Sequence, residues 1–162
     1  PWSFGPLDMA DSRVVWTESA VQAGTLHSNV YLYDLSSAKL TQMTHDDRSS
    51  QSRIHGDWMT WREGLGDVGP IVLYNLKSGE LRRLAVEGDL PTIGDGLVMF
   101  RTYLGPRLMV YDIERNVLSP AFDTDNFSSF SPIYVRGRTI AAATNPDPKT
   151  GKNSIEIHTY ER

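Results

Sequence analysis

Four histidines, His27, His45, His55 and His158, are the first residues whose chemistry could build a site. A zinc site pairs its His or Cys ligands at short spacing. These four stand singly, and the chain has no cysteine. The lack of cysteine also excludes disulfides, thiolate ligands and a Cys nucleophile together. His45 with Asp46 and Asp47 could ligate only if folding brought other donors to them. His55 falls in a predicted inner strand, where a buried, hydrogen-bonded histidine is the expectation. Asp123-Thr124-Asp125-Asn126 opens like a calcium loop, but its fifth position is Phe127 and the glycine is missing. Local Asx turns account for such a run without an ion. Asn126-Phe127-Ser128 matches a glycosylation sequon, a triplet that also arises by chance. Thr150-Gly151-Lys152 lacks the earlier glycine of a phosphate loop, and no Gly-x-Ser-x-Gly elbow occurs. The residues therefore predict no metal, no cofactor and no catalysis on this chain.

The elements that would carry these residues repeat. Asn29–Leu35, Ile71–Leu76 and Leu108–Ile113 end in Tyr-Asp-Leu, Tyr-Asn-Leu and Tyr-Asp-Ile, with Ile155–Tyr160 as a degraded fourth copy. Before each stands a second run: Arg13–Trp16, Trp58–Trp61, Leu97–Phe100 and Thr139–Ala142. Each follows a turn signal, among them Gly56-Asp57 and Gly94-Asp95-Gly96. A third run precedes those turns, at Ser52–His55, Pro91–Ile93 and Pro132–Val135, and a fourth follows at Lys39–Met43 and Glu80–Leu84. From position 16 to 61 to 100 to 142 the steps are 45, 39 and 42 residues. A four-stranded propeller blade repeats at about 40–45 residues. The runs are short, rich in Val, Ile, Tyr and Trp, and bounded by Gly, Asp, Asn and Ser, which is strand chemistry. No window sustains a 3.6-residue apolar period, so helix is not expected.

The prediction is an all-β chain: a β-propeller-type array of about four antiparallel, four-stranded blades within one domain, over 7–51, 52–90, 91–131 and 132–162. Val15, Trp16, Leu32, Trp61, Phe100 and Val110 are the expected core. The last blade lacks its outer strand; Pro1–Pro6 could complete it, although it is short and carries two prolines. The open edge otherwise predicts pairing with another copy or with the remainder of a larger ring. The start at Pro1, with no initiator Met and no secretory pattern, reads as a mature or excised piece.

Composition bounds the function classes. A content of 40% hydrophobic and 22% charged residues is that of a globular protein. A net charge of −4 with scattered basic residues argues against nucleic acid as a partner. No apolar stretch approaches the roughly 18–20 residues of a membrane-spanning helix, so no membrane insertion is expected.

The pattern of Gly-Asp, an apolar-Trp strand, apolar-Tyr-Asp-Leu, Ser-Gly and a polar strand resembles TolB-like (PD40-type) propeller repeats, as found in microbial cell-surface proteins. Arg13–Thr44 and Ile54–Leu84 carry it best. The Trp-Ser-Pro-Asp-Gly turn of TolB is replaced here by His55-Gly56-Asp57 and Ile93-Gly94-Asp95-Gly96. The resemblance implies an extracytoplasmic propeller, in the periplasm or at the cell surface, that binds protein or ligand without catalysis.

Propellers carry function on their loops, because the strands are committed to packing. Connections of the fourth strand to the next blade (Thr44–Ser50, Ala85–Asp89, Asp123–Phe130) and of second to third strands (Glu18–Ser28, Arg62–Gly69, Arg101–Pro106, Thr144–Asn153) should share one face. They would gather His45, Asp46, Asp47, Arg48, Arg62, Arg101, Tyr103, Asp123, Asp125 and Phe127 on one rim. Three readings follow: a binding module for a protein, peptide or glycan; an accessory propeller of a larger enzyme such as a peptidase; and a surface protein that self-assembles through its open edge.

Overall fold

The computed structural model describes residues 2–104, 108–121, 133–143, 149–152 and 154–160. They form two compact units, Pro1–Pro91 and Thr92–Arg162. All regular structure among the described residues is β.

The first unit holds two blades. The first comprises β1 (Trp2–Phe4), β2 (Asp8–Ala10), β3 (Arg13–Gln22), β4 (Thr25–Asp34) and β5 (Lys39–Gln42). Both β1 and β2 pair antiparallel with β3, so together they make one inner strand interrupted at Gly5–Leu7. The second blade comprises β6 (Ser49–His55), β7 (Trp58–Glu63), β8 (Gly69–Asn75) and the first part of β9 (Leu81–Gly94). The last residues of β9 enter the second unit, beside β10 (Leu97–Arg101), β11 (Leu108–Asp112) and β12 (Val117–Pro120). The fourth blade shows three strands among the described residues: β13 (Ile133–Arg136), β14 (Thr139–Ala143) and β15 (Ile155–Thr159).

The blades are copies in hydrogen bonding as well as in spacing. Their central hairpins close on Arg13 opposite Asp34, Trp58 opposite Asn75, Leu97 opposite Asp112, and Thr139 opposite Thr159. The next residue in each blade, Leu35, Leu76, Ile113 or Tyr160, donates its N–H to the turn before the second strand, at 2.7–2.9 Å. The turns after the third strands in the first two blades are Asx turns. Asp34 accepts the N–H groups of Ser36 and Ser37, and Asn75 those of Lys77 and Ser78. This is why Tyr-Asp-Leu and Tyr-Asn-Leu recur: the Asp or Asn builds the turn, and in the second blade the flanking Tyr74 and Leu76 pack against the core.

Each unit has its own core. In the first, Val15 and Val30 pack with Ile54, Met59, Trp61 and Val72 of the second blade. In the second, Leu97, Met99, Leu108, Val110 and Ala121 pack with Ile140, flanked by Val135 and Tyr160.

Several expectations need correction. Trp2–Phe4 does not complete the last blade; it pairs with β3 from Trp2 opposite Ala20 to Phe4 opposite Glu18. Glu18–Ser28 is not a loop: β3 and β4 continue to a two-residue turn at Ala23-Gly24, whose φ values of 49° and 80° suit a hairpin. Ala85–Asp89 is not a loop either; it lies inside β9, held by Gly69 opposite Gly88 and Pro70 opposite Glu87. Trp16 and Leu32 are only half-buried, unlike Val15, Trp61, Phe100 and Val110. Trp16 points to the opposite face from Val15, where it stacks on Tyr31 at 5.8 Å. His55 is exposed rather than buried, because it stands at the very end of β6 beside the turn.

Candidate functional site

The predicted connections Thr44–Ser50 and Arg62–Gly69 come together in the first unit. The Gly64 N–H donates to the Arg48 carbonyl at 2.9 Å. β7 and β8 approach closely just below. A Cβ on Gly69 would lie 1.8 Å from the Glu63 carbonyl oxygen, so only glycine fits there.

The β5–β6 connection is held from β4. Asn29 donates its Nδ2 to Asp47 Oδ1 at 2.7 Å, and its Oδ1 accepts from the Asp47 N–H and the Thr44 hydroxyl, each at 3.2 Å. Thr44 Oγ1 in turn accepts the Val30 N–H. His27 Nδ1 lies 3.1 Å from the other Asp47 oxygen, and the Ser28 N–H donates to the Asp47 carbonyl. The Asn29 and His27 hydrogen bonds hold the Asp47 carboxyl below the usual carboxylate range. Asp47 itself has φ 59°, a conformation tolerated here because Asn29 grips both its backbone and its side chain.

A cleft of about 480 Å³ opens beside this loop, lined by Asp46, Arg48, Glu63, Gly64, Pro70 and Arg83. Three of its four charges are committed. Asp46 accepts from the Ser49 hydroxyl and the Arg48 N–H. Glu63 and Arg83 form a two-bond pair at 2.8 Å for each bond, which raises the Arg83 pKa. The Arg48 guanidinium is exposed and makes no hydrogen bond or ion pair among the described residues. The arrangement is a preorganised, polar cleft with one uncommitted cation at its edge.

The predicted rim residues separate accordingly. His45, Asp46, Asp47 and Arg48 lie together on this loop. Arg62 is structural, donating Nη1 to the Asp67 carbonyl and Nη2 to Ser50, with its Nε buried and unpartnered among the described residues. Arg101 ends β10 and Tyr103 follows it, exposed, in the second unit. Asp123, Asp125 and Phe127 lie outside the described residues, as do the calcium-like loop and the sequon. Asn29, Glu63 and Arg83 were not anticipated. They stand 18–20 residues from their partners Asp47 and Arg83 or Glu63, and only the register of the blades unites them.

No family model matches this chain, and no curated protein matches it. Solved structures do match in fold. Over 99% of this chain and 55% of the other, it superposes on the β-propeller domain of the Trilobed protease from Pyrococcus furiosus, with a TM-score of 0.72 at 10% identity. Acylaminoacyl peptidase from Pyrococcus horikoshii matches with a TM-score of 0.66 at 10% identity, over 96% of this chain and 31% of that one. TolB from Acinetobacter baumannii matches with a TM-score of 0.61 at 15% identity, over 96% and 40%. The chain thus spans about half or less of the structures that it resembles, and the likeness establishes a TolB-like propeller-type fold.

Proposed function

We propose that this chain is a non-catalytic binding module that offers the β5–β6 and β7–β8 connections to a protein, peptide or glycan partner. The observation that carries the reading is the cleft beside Arg48. Its loop is fixed by Asn29 before any ligand arrives, and its one uncommitted charge faces solvent. A loop already ordered in the free state loses little entropy on binding. An extracytoplasmic location belongs to the same proposal and rests on the resemblance to TolB-like repeats. The test is to probe immobilised peptide and glycan arrays with the purified chain. Saturable binding that Arg48→Glu abolishes, while Lys77→Glu on an exposed turn leaves it intact, supports the reading. Binding that ignores Arg48→Glu refutes the assignment of this cleft.

A second reading, an accessory propeller of a larger enzyme, is favoured by the fold match to the propeller domain of one protease and to a peptidase. It predicts a hydrolase domain in the full-length gene product. A reading frame holding only blade repeats contradicts it.

A further inference from the structure

The central hairpin of the first blade is longer than that of the second. In the second blade, β7 and β8 pair from Trp58 opposite Asn75 to Arg62 opposite Ile71. In the first, β3 and β4 run past the equivalent Thr17–Val30 pair to Gln22 opposite Thr25. One face of this hairpin is committed to the second blade for most of its length. The forward face of the first blade (Val15, Val30) packs on the back face of the second (Ile54, Met59, Trp61). Further along the same face, the Ser52 N–H donates to Thr17 Oγ1 at 3.4 Å. The Ser28 hydroxyl, 2.9 Å from that of Ser19, donates to the Ser49 carbonyl at 3.0 Å. Successive side chains alternate between the faces of a strand, so the next residues on the forward face are Val21 and Leu26. They stand opposite one another at the hairpin tip and are 50% and 43% exposed.

The cleft lies at the same end of the same seam. Trp61 belongs to the back face of the second blade; Val72 is opposite Trp61, and Arg83 is opposite Val72. Arg83, and Glu63 two residues beyond Trp61, therefore stand on the face that looks toward the first blade. Two walls flank the β5–β6 connection: an aliphatic one of Val21 and Leu26, and a charged one of Glu63 and Arg83. The connection is tied to the first wall, because Ser28 bridges to Arg48 and its N–H donates to the Asp47 carbonyl. Leu65, next to the cleft-lining Gly64, is a further exposed aliphatic residue, at 45%.

We infer that this cleft takes a carboxylate of a peptide whose neighbouring apolar side chain packs on Val21 and Leu26. The inference rests on the binding reading above and names the partner class of that site. Charge selects the carboxylate. Arg48 is the uncommitted cation, and a guanidinium can hold a carboxylate through two parallel N–H···O bonds. The carboxylates of Asp46 and Glu63 in the lining repel a second negative charge, which disfavours a phosphate dianion. The apolar half selects a peptide over an acidic sugar. Among the described residues, the lining holds no aromatic ring on which a sugar face could stack. Aliphatic Val21, Leu26 and Leu65 instead match an aliphatic side chain, which would cover apolar surface that the chain leaves wet.

The experiment is fluorescence anisotropy with the 162-residue chain and labelled probes. The probes are a short amidated peptide with a central Leu-Glu, a Glu-free peptide ending in Leu with a free carboxylate, and a glucuronate-containing oligosaccharide. At least one peptide is expected to bind more than about tenfold tighter than its Leu-Gln or amidated counterpart. The tighter of the two tells a side-chain carboxylate from a C-terminal one. Arg48→Gln should weaken that binding by about tenfold or more, and Leu26→Ser by about threefold or more. Leu40→Ser on β5 should leave it unchanged. Leu26 is exposed, so the melt of Leu26→Ser should match the wild type; if it melts early, Val21→Ser replaces it. Binding of the oligosaccharide that needs Arg48, with neither peptide bound, overturns the inference and leaves the cleft reading standing. So does peptide binding that needs Arg48 but ignores Leu26→Ser and Val21→Ser. Peptide binding indifferent to Arg48→Gln overturns both. A chain that binds none of the probes overturns the inference, and the array experiment then decides the cleft reading alone.

Discussion

The seam between the first two blades and the seam between the last two are built alike in their apolar halves and differently in their polar halves. Each joins a forward face to a back face through fully buried residues, Val15 on Met59 in one and Met99 on Ile140 in the other. Each also carries one Arg–Asp pair. In the first unit the cation comes from the earlier blade: Arg13 reaches Asp57 in the next blade's turn at 2.9 Å, with the two side chains 30% and 46% exposed. In the second the polarity is reversed: Arg138 in the later blade's turn reaches back to Asp112 at 2.7 Å, and the side chains are 10% and 12% exposed. Arg138 also donates Nε to the Tyr160 carbonyl, and the Asp112 Oδ1 accepts the Arg115 N–H. The repeat thus prescribes that a charged pair bridges the blade turns, but not which blade supplies which sign. Water access decides what the pair is worth.

The largest effect should come from breaking the buried pair. Arg138→Ala leaves Asp112 uncompensated and should cost about 3 kcal/mol in denaturant unfolding. Replacing both partners, Arg138→Met with Asp112→Leu, should restore most of that loss; a double variant as unstable as the single one would remove the pair from the explanation. The next effect is apolar and should be equal in the two units. Met59→Ala and Met99→Ala each empty a dry side chain from one seam and should each cost about 2–4 kcal/mol. A clear difference between them would break the claim that the apolar halves are alike.

Smaller still is the effect of acid. Burial pushes the Asp112 carboxyl up, but the Arg115 N–H and the Arg138 guanidinium outweigh it, so its pKa lies below the ordinary value. A depressed carboxyl contributes stability that is complete above the unfolded pKa of about 4 and is lost as pH falls through the folded value. Melting temperature should therefore fall below about pH 4, and Asp112→Asn should flatten that fall. The same slope in both proteins would contradict the assignment. The smallest effect belongs to the exposed seam: Arg13→Ala should change stability by less than about 1 kcal/mol, and added salt should reduce even that.

The blades were legible because their signals are local. Trp16, Trp61 and Phe100 mark the period, and Asp34 and Asn75 mark the turns, each readable within a few residues. Blade ends were less legible. Glu18–Ser28 looks polar and loop-like, yet it is strand because β3 and β4 stay paired down to the Ala23-Gly24 turn, and β1 adds a second partner at Glu18–Ala20. Gly88-Asp89 reads as a break, but Gly69 and Pro70 across the sheet keep it extended. Trp16 has the composition of a core residue; its half exposure follows from its place on the face opposite Val15, stacked on Tyr31, which no sequence window reports. Of the candidate site, the loop His45–Arg48 was visible as a charged connection. Its support was not, because Asn29 lies on the preceding hairpin and the Glu63–Arg83 pair spans two strands.

The account rests on the β5–β6 connection being rigid in the free protein, and residue-resolved hydrogen exchange tests that most directly. The amides of Ser28, Asp47 and Gly64, bonded to the Asp47 carbonyl, Asn29 and the Arg48 carbonyl, should exchange far more slowly than those of the hairpin tip at Ala23-Gly24. Asn29→Ala should remove the protection at Asp47. Exchange at Asp47 and Gly64 as fast as at Gly24 in the wild type would mean that the loop is not preorganised, and it would contradict the binding site built on it.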